Sequence, residues 1–363
     1  MEFSQQLSTH PKSAEQRAEI LANPGFGDHF TDHTAVIDWT QDAEGKGGWH
    51  DARVEPYGPI AMDPASAVLH YGQEIFEGLK AYRHADGSVW TFRPEANAER
   101  FNKSAVRLAL PQLPEADFIE SLRRLVSVDK AWVPSGDGEA LYLRPFMIAT
   151  EAFLGVRPSR EVSYRVIASP AGNYFGGELK PVPIWLSTTY ARAGRGGTGE
   201  AKCGGNYAAS LAAQIEAESH GCKQVLFLDP FNDNAVEELG GMNVFFVFAD
   251  GTLVTPALNG TILHGVTRSS VLQLARDRGL TVQERKITID EWRDAAADGT
   301  LTEVFACGTA AVITPIGELK TAEGTIACPA PGPDSVAMGI RAELLGIQTG
   351  TVEDTHGWLT RLA

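Results

Sequence analysis

Short apolar runs alternate with turn-forming residues along most of the chain, which predicts many short strands and helices. Apolar runs at 79–82 and 88–92 flank Asp86-Gly87, and this dipeptide favours a β-hairpin because it adopts positive φ at low cost. Similar runs predict further strands at 140–150, 162–169, 184–190, 224–229, 244–248 and 252–255, the last two joined by Asp250-Gly251.

Helical spacing of apolar residues marks a second set of segments. The clearest follows Pro94, where Phe101, Ala105 and Leu108 recur on one face, and it ends before Pro111. Other helices are predicted at 117–132, 206–219 and 265–279. Because hairpins and helices are mixed rather than strictly alternating, the pattern predicts the α+β class and not a doubly wound parallel sheet.

The segment 170–181 is rich in Gly and Pro and is the strongest domain boundary in the sequence. We therefore expect a loose N-terminal leader at 1–25, a small α+β domain at 26–170, an interdomain loop at 171–182 and a large α+β domain at 183–363.

Composition and charge exclude several classes of protein. The 363-residue chain carries a formal net charge of −15, which argues against a nucleic-acid-binding surface. Its longest apolar run, 244–249, is far too short to span a membrane, and residues 1–25 lack the apolar core of a signal peptide. The four cysteines lie far apart, so we expect reduced thiols in a cytoplasmic protein, with no disulfide framework and no metal site.

A glycine-rich segment, Gly194-Arg-Gly-Gly-Thr-Gly199, matches the G-x-G-x-x-G pattern of dinucleotide-binding proteins. Such a site needs a helix that starts inside the motif, because the helix N-terminus must meet the pyrophosphate. Here the predicted helix begins only at Asn206. An NAD-dependent oxidoreductase is therefore a disfavoured alternative, and Glu200 excludes a P-loop because that motif requires lysine there.

Residues at three other places in the sequence could take part in catalysis or cofactor binding, although each also has an ordinary structural explanation. Lys202 precedes Gly204-Gly205; it could be a solvated loop lysine, or a desolvated lysine that forms a Schiff base with a planar cofactor. Glu238 lies between two apolar strands, where a carboxylate is commonly solvated but could instead hold a pyridinium nitrogen protonated. Val266-Thr267 opens a helix whose amides could bind a phosphate.

Taken together, five motifs resemble those of the branched-chain amino acid aminotransferases, which are class IV (D-amino acid aminotransferase-like) pyridoxal-phosphate enzymes. In chain order the motifs are Tyr71-Gly-Gln-Glu-Ile-Phe-Glu-Gly-Leu-Lys-Ala-Tyr82, Leu141-Tyr-Leu-Arg-Pro145, Lys202-Cys-Gly-Gly-Asn-Tyr207, Glu238-Leu-Gly-Gly-Met-Asn243 and Ala306-Cys-Gly-Thr-Ala310. The resemblance covers about 30–346. It implies a two-domain class IV fold with the active site between the domains, and a cofactor-binding role for the larger domain.

The resemblance also implies a role for each matching residue. Lys202 would bind the cofactor covalently and move the substrate proton, while Glu238 would pair with the pyridine nitrogen. The remaining cofactor contacts would come from Arg100, Arg192, Tyr207, Val266, Thr267 and Thr309. The amides of Thr309 and Ala310, with Tyr142, would receive the substrate carboxylate. The side-chain pocket would be formed by Tyr71, Phe76 and Tyr174, with Arg144 binding the distal carboxylate of 2-oxoglutarate.

We therefore expect a cytoplasmic homodimer that moves an amino group between L-leucine, L-isoleucine or L-valine and 2-oxoglutarate by a ping-pong mechanism. Its partners would be small molecules, without nucleic acid, membrane or metal. A D-amino acid aminotransferase or an aminodeoxychorismate lyase is the nearest alternative, and Tyr142 and Arg144 argue against both. Ala311 and Thr314 replace the Cys-x-x-Cys of some animal members, so redox control of that kind is not expected.

Overall fold

The computed structural model of the chain describes residues 1–172, 179–229, 231–232, 234–332 and 335–363. The elements up to residue 171 are β1 (Ser4–Gln5), α1 (Ala14–Ala22), β2 (His33–Gln41), β3 (Gly47–Pro56), α2 (Ala67–Tyr71), β4 (Glu74–Phe76), β5 (Leu79–Arg83), β6 (Val89–Phe92), α3 (Pro94–Arg107), α4 (Glu115–Val128), β7 (Ala140–Ala149) and β8 (Glu161–Ala171).

The remaining elements are β9 (Val182–Leu186), α5 (Gly204–Ser219), β10 (Gln224–Asp229), β11 (Ala235–Leu239), β12 (Asn243–Phe248), β13 (Thr252–Thr255), α6 (Val266–Asp277), β14 (Thr281–Glu284), α7 (Ile289–Asp298), β15 (Leu301–Gly308), β16 (Val312–Thr321), β17 (Gly324–Ala327), α8 (Val336–Thr349) and β18 (Leu359–Arg361). Among the described helices, none combines the length and the apolar character needed to cross a membrane.

The chain divides into two units: unit 1 is formed by Met1–Gly176, Ala201–Gly204 and Gly346–Ala363, and unit 2 by Gly177–Glu200 and Gly205–Leu345. Unit 1 contains a sheet in the order β1-β3-β2-β8-β7-β5-β6-β18, with β4 paired to β7. Apart from the parallel pair β1–β3, neighbouring strands of this sheet are antiparallel. Its core includes Phe101 and Phe118 from α3 and α4, which pack against Tyr164 of β8.

Unit 2 contains a second sheet, in the order β11-β10-β9-β16-β15-β12-β13-β14, with β17 paired to β16. This sheet is mixed, because β9 pairs in parallel with both β10 and β16, and β13 pairs in parallel with β14. Phe245 and Phe305 stack across β12 and β15 with centroids 5.1 Å apart, and both are fully buried. The two mixed α and β layers confirm the predicted α+β class.

Local turn chemistry predicted both hairpins correctly, since β5–β6 and β12–β13 are antiparallel pairs joined through Asp86-Gly87 and Asp250-Gly251. Two element ends differ from prediction by four residues. The helix expected to reach residue 132 ends at Val128 and is followed by a separate 3₁₀ turn at Lys130–Trp132, and the strand expected to reach residue 190 ends at Leu186.

Three features of the units depart from the boundaries expected from composition. Residues 1–25 include a strand paired with β3, and α1 begins with a capping box between Ser13 and Gln16. The C-terminal segment Gly346–Ala363 belongs to unit 1, where β18 pairs with β6. Ala201–Gly204 also belongs to unit 1, because Ala201 and Cys203 are buried in its core.

Candidate active site

Two hydrogen bonds hold the backbone of Lys202, and its side chain is half-buried. Its N–H donates to the hydroxyl of Ser104 at 2.9 Å, and its carbonyl accepts the Phe76 N–H, also at 2.9 Å. Its Nζ lies 4.8 Å from the centroid of the Phe76 ring. The segment therefore holds an amine at a defined position beside an aromatic ring, rather than a freely solvated lysine.

Arg100 forms a buried, two-pronged ion pair with Glu77. Arg100 Nε lies 2.7 Å from Oε1, Nη2 lies 2.7 Å from Oε2, and Asn97 donates to the same Oε2 at 2.8 Å. Burial opposes ionisation of Glu77, but the charges of Arg100 and Lys202 and the Asn97 hydrogen bond outweigh it and hold the pKa of Glu77 below its usual value. The pair fixes Arg100 in one orientation on α3.

Arg144 is a cation between aromatic rings. Its guanidinium lies 4.8 Å from the Phe76 centroid and 5.3 Å from that of Tyr142, and Nη2 donates to the Tyr142 hydroxyl at 3.1 Å. A side chain at Gly78 would collide with Tyr142, so glycine permits this close approach. Within the described part of the chain, the buried Nε of Arg144 has no hydrogen-bond partner, which leaves one donor available to an anion.

The other residues predicted to line a substrate pocket differ in placement. Tyr71 is 41% exposed at the end of α2, and its hydroxyl donates to the carbonyl of Leu154. Phe76 is half-buried and contacts both Lys202 and Arg144. Tyr174 lies outside the described residues.

In unit 2, Glu238 is a buried carboxylate whose partners include Arg192, Leu263 and Asn243. Oε1 lies 2.9 Å from Arg192 Nη1 and accepts the Leu263 N–H at 2.8 Å, while Asn243 donates to Oε2 at 3.2 Å. Arg192 also donates to the carbonyls of Gly199 and Thr261. The arrangement differs from the predicted phosphate contact of Arg192, because the guanidinium is directed to a carboxylate and to carbonyl groups.

Glu237 is just as buried as its neighbour but occupies a separate environment. It accepts a hydrogen bond from the Thr261 hydroxyl, and its Oε2 has no partner among the described residues. Burial raises the pKa of Glu237, and the charge of Asp229 adds to that effect, against the opposing influence of Thr261 and Arg192. The two consecutive glutamates are therefore chemically distinct.

The N-terminus of α6 is suited to an anion. Gly265 is its N-cap and no side chain caps the helix. A β-carbon at Gly265 would collide with Asn243 Oδ1, so only glycine allows Asn243 to lie this close while it also contacts Glu238. Val266 and Thr267 provide the first amides of the helix, whose dipole favours negative charge there.

The last predicted residues lie at a turn and on a helix. Thr309 and Ala310 are half-buried in the turn between β15 and β16, close in register to Asn243, which pairs with Cys307. Tyr207 is half-buried on α5. Unit 1 thus brings together Lys202, Phe76, Arg100, Tyr142 and Arg144, and unit 2 brings together Arg192, Glu238, the α6 N-terminus and the β15–β16 turn.

A family model described as amino-transferase class IV matches residues 74–319, which is more than half of the chain. The chain belongs to this family. It is 58% identical over its whole length to the branched-chain-amino-acid aminotransferase of Mycolicibacterium smegmatis, covering 98% of that protein. It is also similar to the solved branched-chain amino acid aminotransferase of Escherichia coli, at 28% identity and a TM-score of 0.73, with 85% and 97% of the two chains covered. Another branched-chain amino acid aminotransferase, solved with pyridoxamine 5'-phosphate, is similar at 30% identity and a TM-score of 0.73, with 91% and 99% covered.

The residues of this aminotransferase fit pyridoxal phosphate. Lys202 is a positioned amine, Glu238 is a buried carboxylate suited to a pyridine nitrogen, and the α6 N-terminus, with Gly265 as its N-cap, is suited to an anion. The residues that sequence reasoning missed are Glu77 and Asn243. Both residues lie inside the quoted motifs, so the motifs marked their positions. Their partners, Arg100 for Glu77 and Glu238 for Asn243, are 23 and 5 positions away and are identified only by the fold.

Proposed function

We propose that the chain is a pyridoxal-phosphate-dependent transaminase that moves the amino group between L-leucine, L-isoleucine or L-valine and 2-oxoglutarate. The main observation in support is the arrangement in unit 1, where Phe76 contacts both the amine of Lys202 and the guanidinium of Arg144. One lysine and one cofactor serve both half-reactions, so the kinetics are ping-pong.

When bound, the cofactor supplies an electron sink that stabilises negative charge at the substrate Cα. Lys202 Nζ would move the proton between the substrate Cα and carbon C4′ of the cofactor. Glu238 would keep the pyridine nitrogen protonated, with Arg192 compensating the charge of that carboxylate. Tyr207 would contact the ring oxygen, and Arg100, the amides of Val266 and Thr267, and Thr309 would hold the phosphate.

The substrate pocket must accept an apolar side chain in one half-reaction and a carboxylate in the other. Phe76 forms the apolar wall of this pocket, where each buried methylene contributes about 0.8 kcal/mol, and the family resemblance assigns Tyr71 and Tyr174 to the same wall. Arg144 binds the distal carboxylate through charge-assisted hydrogen bonds, for which its unpartnered Nε is available. The amides of Thr309 and Ala310, with the Tyr142 hydroxyl, receive the α-carboxylate.

An amino-donor panel with 2-oxoglutarate as acceptor tests this function. We expect Leu, Ile and Val to be good donors, and Ala and Asp to be poor ones. The purified enzyme should have a near-visible absorption band that shifts when L-leucine is added without acceptor. Faster turnover of D-alanine than of L-leucine would contradict the proposal and favour a D-amino acid aminotransferase.

The active assembly is a homodimer in the cytoplasm. Support comes from four exposed apolar side chains on unit 1, Leu69, Tyr71, Leu154 and Val156, of which Tyr71 and Leu154 are joined by a hydrogen bond and Val156 is 90% exposed. Exposed apolar clusters of this kind mark protein–protein contacts. The four cysteines are free and buried, which is consistent with a reducing compartment.

Sedimentation of wild type and Val156→Asp tests the assembly. Wild type should sediment as a dimer, and a buried aspartate at the contact should shift the population to monomer. Val106→Asp is a matched control, since Val106 is 61% exposed on α3 and lies outside the cluster. Loss of the dimer in both variants, or in neither, would contradict this interface.

A further inference from the structure

We infer that Glu74 is a specificity-determining residue, whose carboxylate counterbalances Arg144 and so sets the preference between apolar and dicarboxylic substrates. This inference rests on the proposed function, because it concerns how one pocket serves two kinds of side chain. Arg144 binds a distal carboxylate in one half-reaction, yet it must remain beside an apolar side chain in the other.

The sheet of unit 1 places Glu74 on the same face as this pocket. In the antiparallel pair β4–β7, Glu74 is opposite Ile148 and Phe76 is opposite Phe146. Residues two apart on a strand share a face, and directly paired residues share it across strands. Because Arg144 is two positions from Phe146, it projects to the side occupied by Phe76 and Glu74.

Arg144 lacks full local compensation in the described structure. Its neighbours are the rings of Phe76 and Tyr142, it donates one hydrogen bond to the Tyr142 hydroxyl, and its buried Nε has no partner. A guanidinium in such a setting attracts anions over several ångströms, because its charge is poorly screened. Glu74 supplies a negative charge that interacts with Arg144, and the Arg144 charge in turn favours the ionised form of Glu74.

Glu74 itself is held in place by the Lys202 segment. It is half-buried and accepts the N–H of Gly204, two residues after Lys202. Burial raises the pKa of Glu74, while the Gly204 N–H and Arg144 oppose that rise. A β-carbon at Gly204 would meet this carboxylate, so glycine at that position permits the contact. The Gly204 N–H thus anchors the Glu74 carboxylate beside the Lys202 segment.

These contacts give opposite effects on the two substrate classes. With a branched apolar side chain in the pocket, Glu74 balances the charge of Arg144 and reduces the cost of leaving the cation unpaired. With a dicarboxylate, the substrate's distal carboxylate experiences attraction from Arg144 and repulsion from Glu74. Removing the Glu74 charge should therefore strengthen dicarboxylate binding and weaken binding of apolar side chains.

The test uses the cofactor-loaded enzyme as wild type, Glu74→Gln, Glu74→Ala and the control Glu120→Gln. Glu120 is a carboxylate on α4 that pairs with Arg123 and Arg124. Calorimetric titration measures the dissociation constants of glutarate and of 4-methylvalerate, which are non-reacting analogues of the dicarboxylic and of the branched-chain substrate. Single-turnover measurements then compare the L-glutamate and L-leucine half-reactions.

Glu74→Gln should bind glutarate about tenfold more tightly, as expected for removal of one poorly screened charge, and should bind 4-methylvalerate more weakly. The ratio of the L-glutamate to the L-leucine half-reaction should rise by a similar factor, and Glu120→Gln should match wild type. Gln retains an oxygen that accepts the Gly204 N–H, whereas Ala does not. If Ala alters the ratio but Gln does not, Glu74 acts only by holding Gly204 and the inference is wrong.

Failure of the inference is distinguishable from failure of the proposed function. Glutarate binding that is equal in wild type and Glu74→Gln overturns the inference, even if wild type transaminates L-leucine normally. A wild type that does not use L-leucine overturns the proposed function, while the glutarate comparison still reports on the charge of Glu74.

Discussion

The guanidinium of Arg192 lies 2.9 Å from Glu238 Oε1, and both side chains are 2% exposed. A buried carboxylate is costly unless it is paired and hydrogen-bonded, and here Leu263 and Asn243 complete the pairing. The arrangement surrounds the buried Glu238 carboxylate with a guanidinium and two N–H donors. It gives Arg192 a role in supporting Glu238 that the motif pattern did not indicate.

Glu238→Gln should lower kcat/KM severely, while Glu237→Gln should retain most activity. Loss of one member of a buried charge pair typically costs about 2–5 kcal/mol, and an amide cannot hold a pyridine nitrogen protonated as a carboxylate does. Steady-state kinetics with L-leucine measures the difference. The opposite ranking of the two variants would refute the assignment of Glu238.

Glu237→Gln should also remove a pH dependence of stability. A carboxyl group whose pKa is raised on folding contributes most to stability below its unfolded pKa, and that contribution is lost as pH rises. The amide does not ionise and still accepts the Thr261 hydroxyl. Thermal unfolding from mildly acidic to neutral pH should therefore show a smaller decline for Glu237→Gln than for wild type.

Glu77→Gln should lower the free energy of unfolding of the cofactor-free protein and reduce its affinity for pyridoxal phosphate. Breaking a buried ion pair by removing one partner costs about 3–5 kcal/mol, and Arg100 would lose one arm of its two-pronged contact. Because the pKa of Glu77 is lowered on folding, its contribution is present at neutral pH and is lost as pH falls through that lowered pKa. Denaturation of the cofactor-free protein should therefore be less acid-dependent in Glu77→Gln.

The matched control for Glu77 is Glu99→Gln, which breaks the exposed pair with Lys103 on α3. Pairs of this kind contribute about 0–1 kcal/mol, so stability and cofactor affinity should stay close to wild type. Equal destabilisation by the two variants would mean that helix α3, and not the buried pair, determines the effect.

Gly265→Ala should reduce cofactor affinity, whereas Gly194→Ala should not. A β-carbon at Gly265 meets Asn243 Oδ1 and lies 3.0 Å from Arg268 Cβ, so either the Asn243 side chain or the N-terminus of α6 must move. A β-carbon at Gly194 meets no atom within 4 Å. Fluorescence titration of cofactor-free protein with pyridoxal phosphate measures both. If Gly194→Ala lost cofactor and Gly265→Ala did not, the ligand would lie at the 194–199 loop, as the dinucleotide hypothesis requires.

Lys202 should be the lysine that carries the cofactor. Borohydride reduction followed by peptide mapping should place the label on Lys202, and Lys202→Ala should lose nearly all transamination because no group remains to move the Cα proton. Proton transfer by a positioned side chain contributes about 10²–10⁴-fold to rate. A label on Lys180 or Lys223 would contradict the assignment.

Arg144→Met should separate the two half-reactions. Methionine keeps an apolar contact with Phe76 but removes the charge, so the L-glutamate half-reaction should slow far more than the L-leucine half-reaction. Single-turnover kinetics of each half-reaction measures this. An equal loss in both would show that Arg144 has a structural role only.

Local chemistry predicted the parts of the fold that depend on neighbouring residues. Asp86-Gly87 and Asp250-Gly251 determine their hairpins, and the capping box of Ser13 with Gln16 was a readable helix start within a segment expected to be loose. Glu77 and Arg100, which form a buried ion pair, are 23 positions apart in the sequence. Lys202 and Ser104, joined by a hydrogen bond from the Lys202 N–H to the Ser104 hydroxyl, are 98 positions apart. Periodicity and turn signals do not report contacts at that separation.

The return of Ala201–Gly204 to unit 1 has a consequence for any division of the chain into fragments. The polypeptide passes between the two units four times, at residues 176–177, 200–201, 204–205 and 345–346. A gene split at the first of these points would leave Lys202 on a different fragment from Ser104 and Phe76, which hold its backbone. A fragment that ends at residue 176 therefore contains Ser104 and Phe76 but lacks the Lys202 segment that they hold in place.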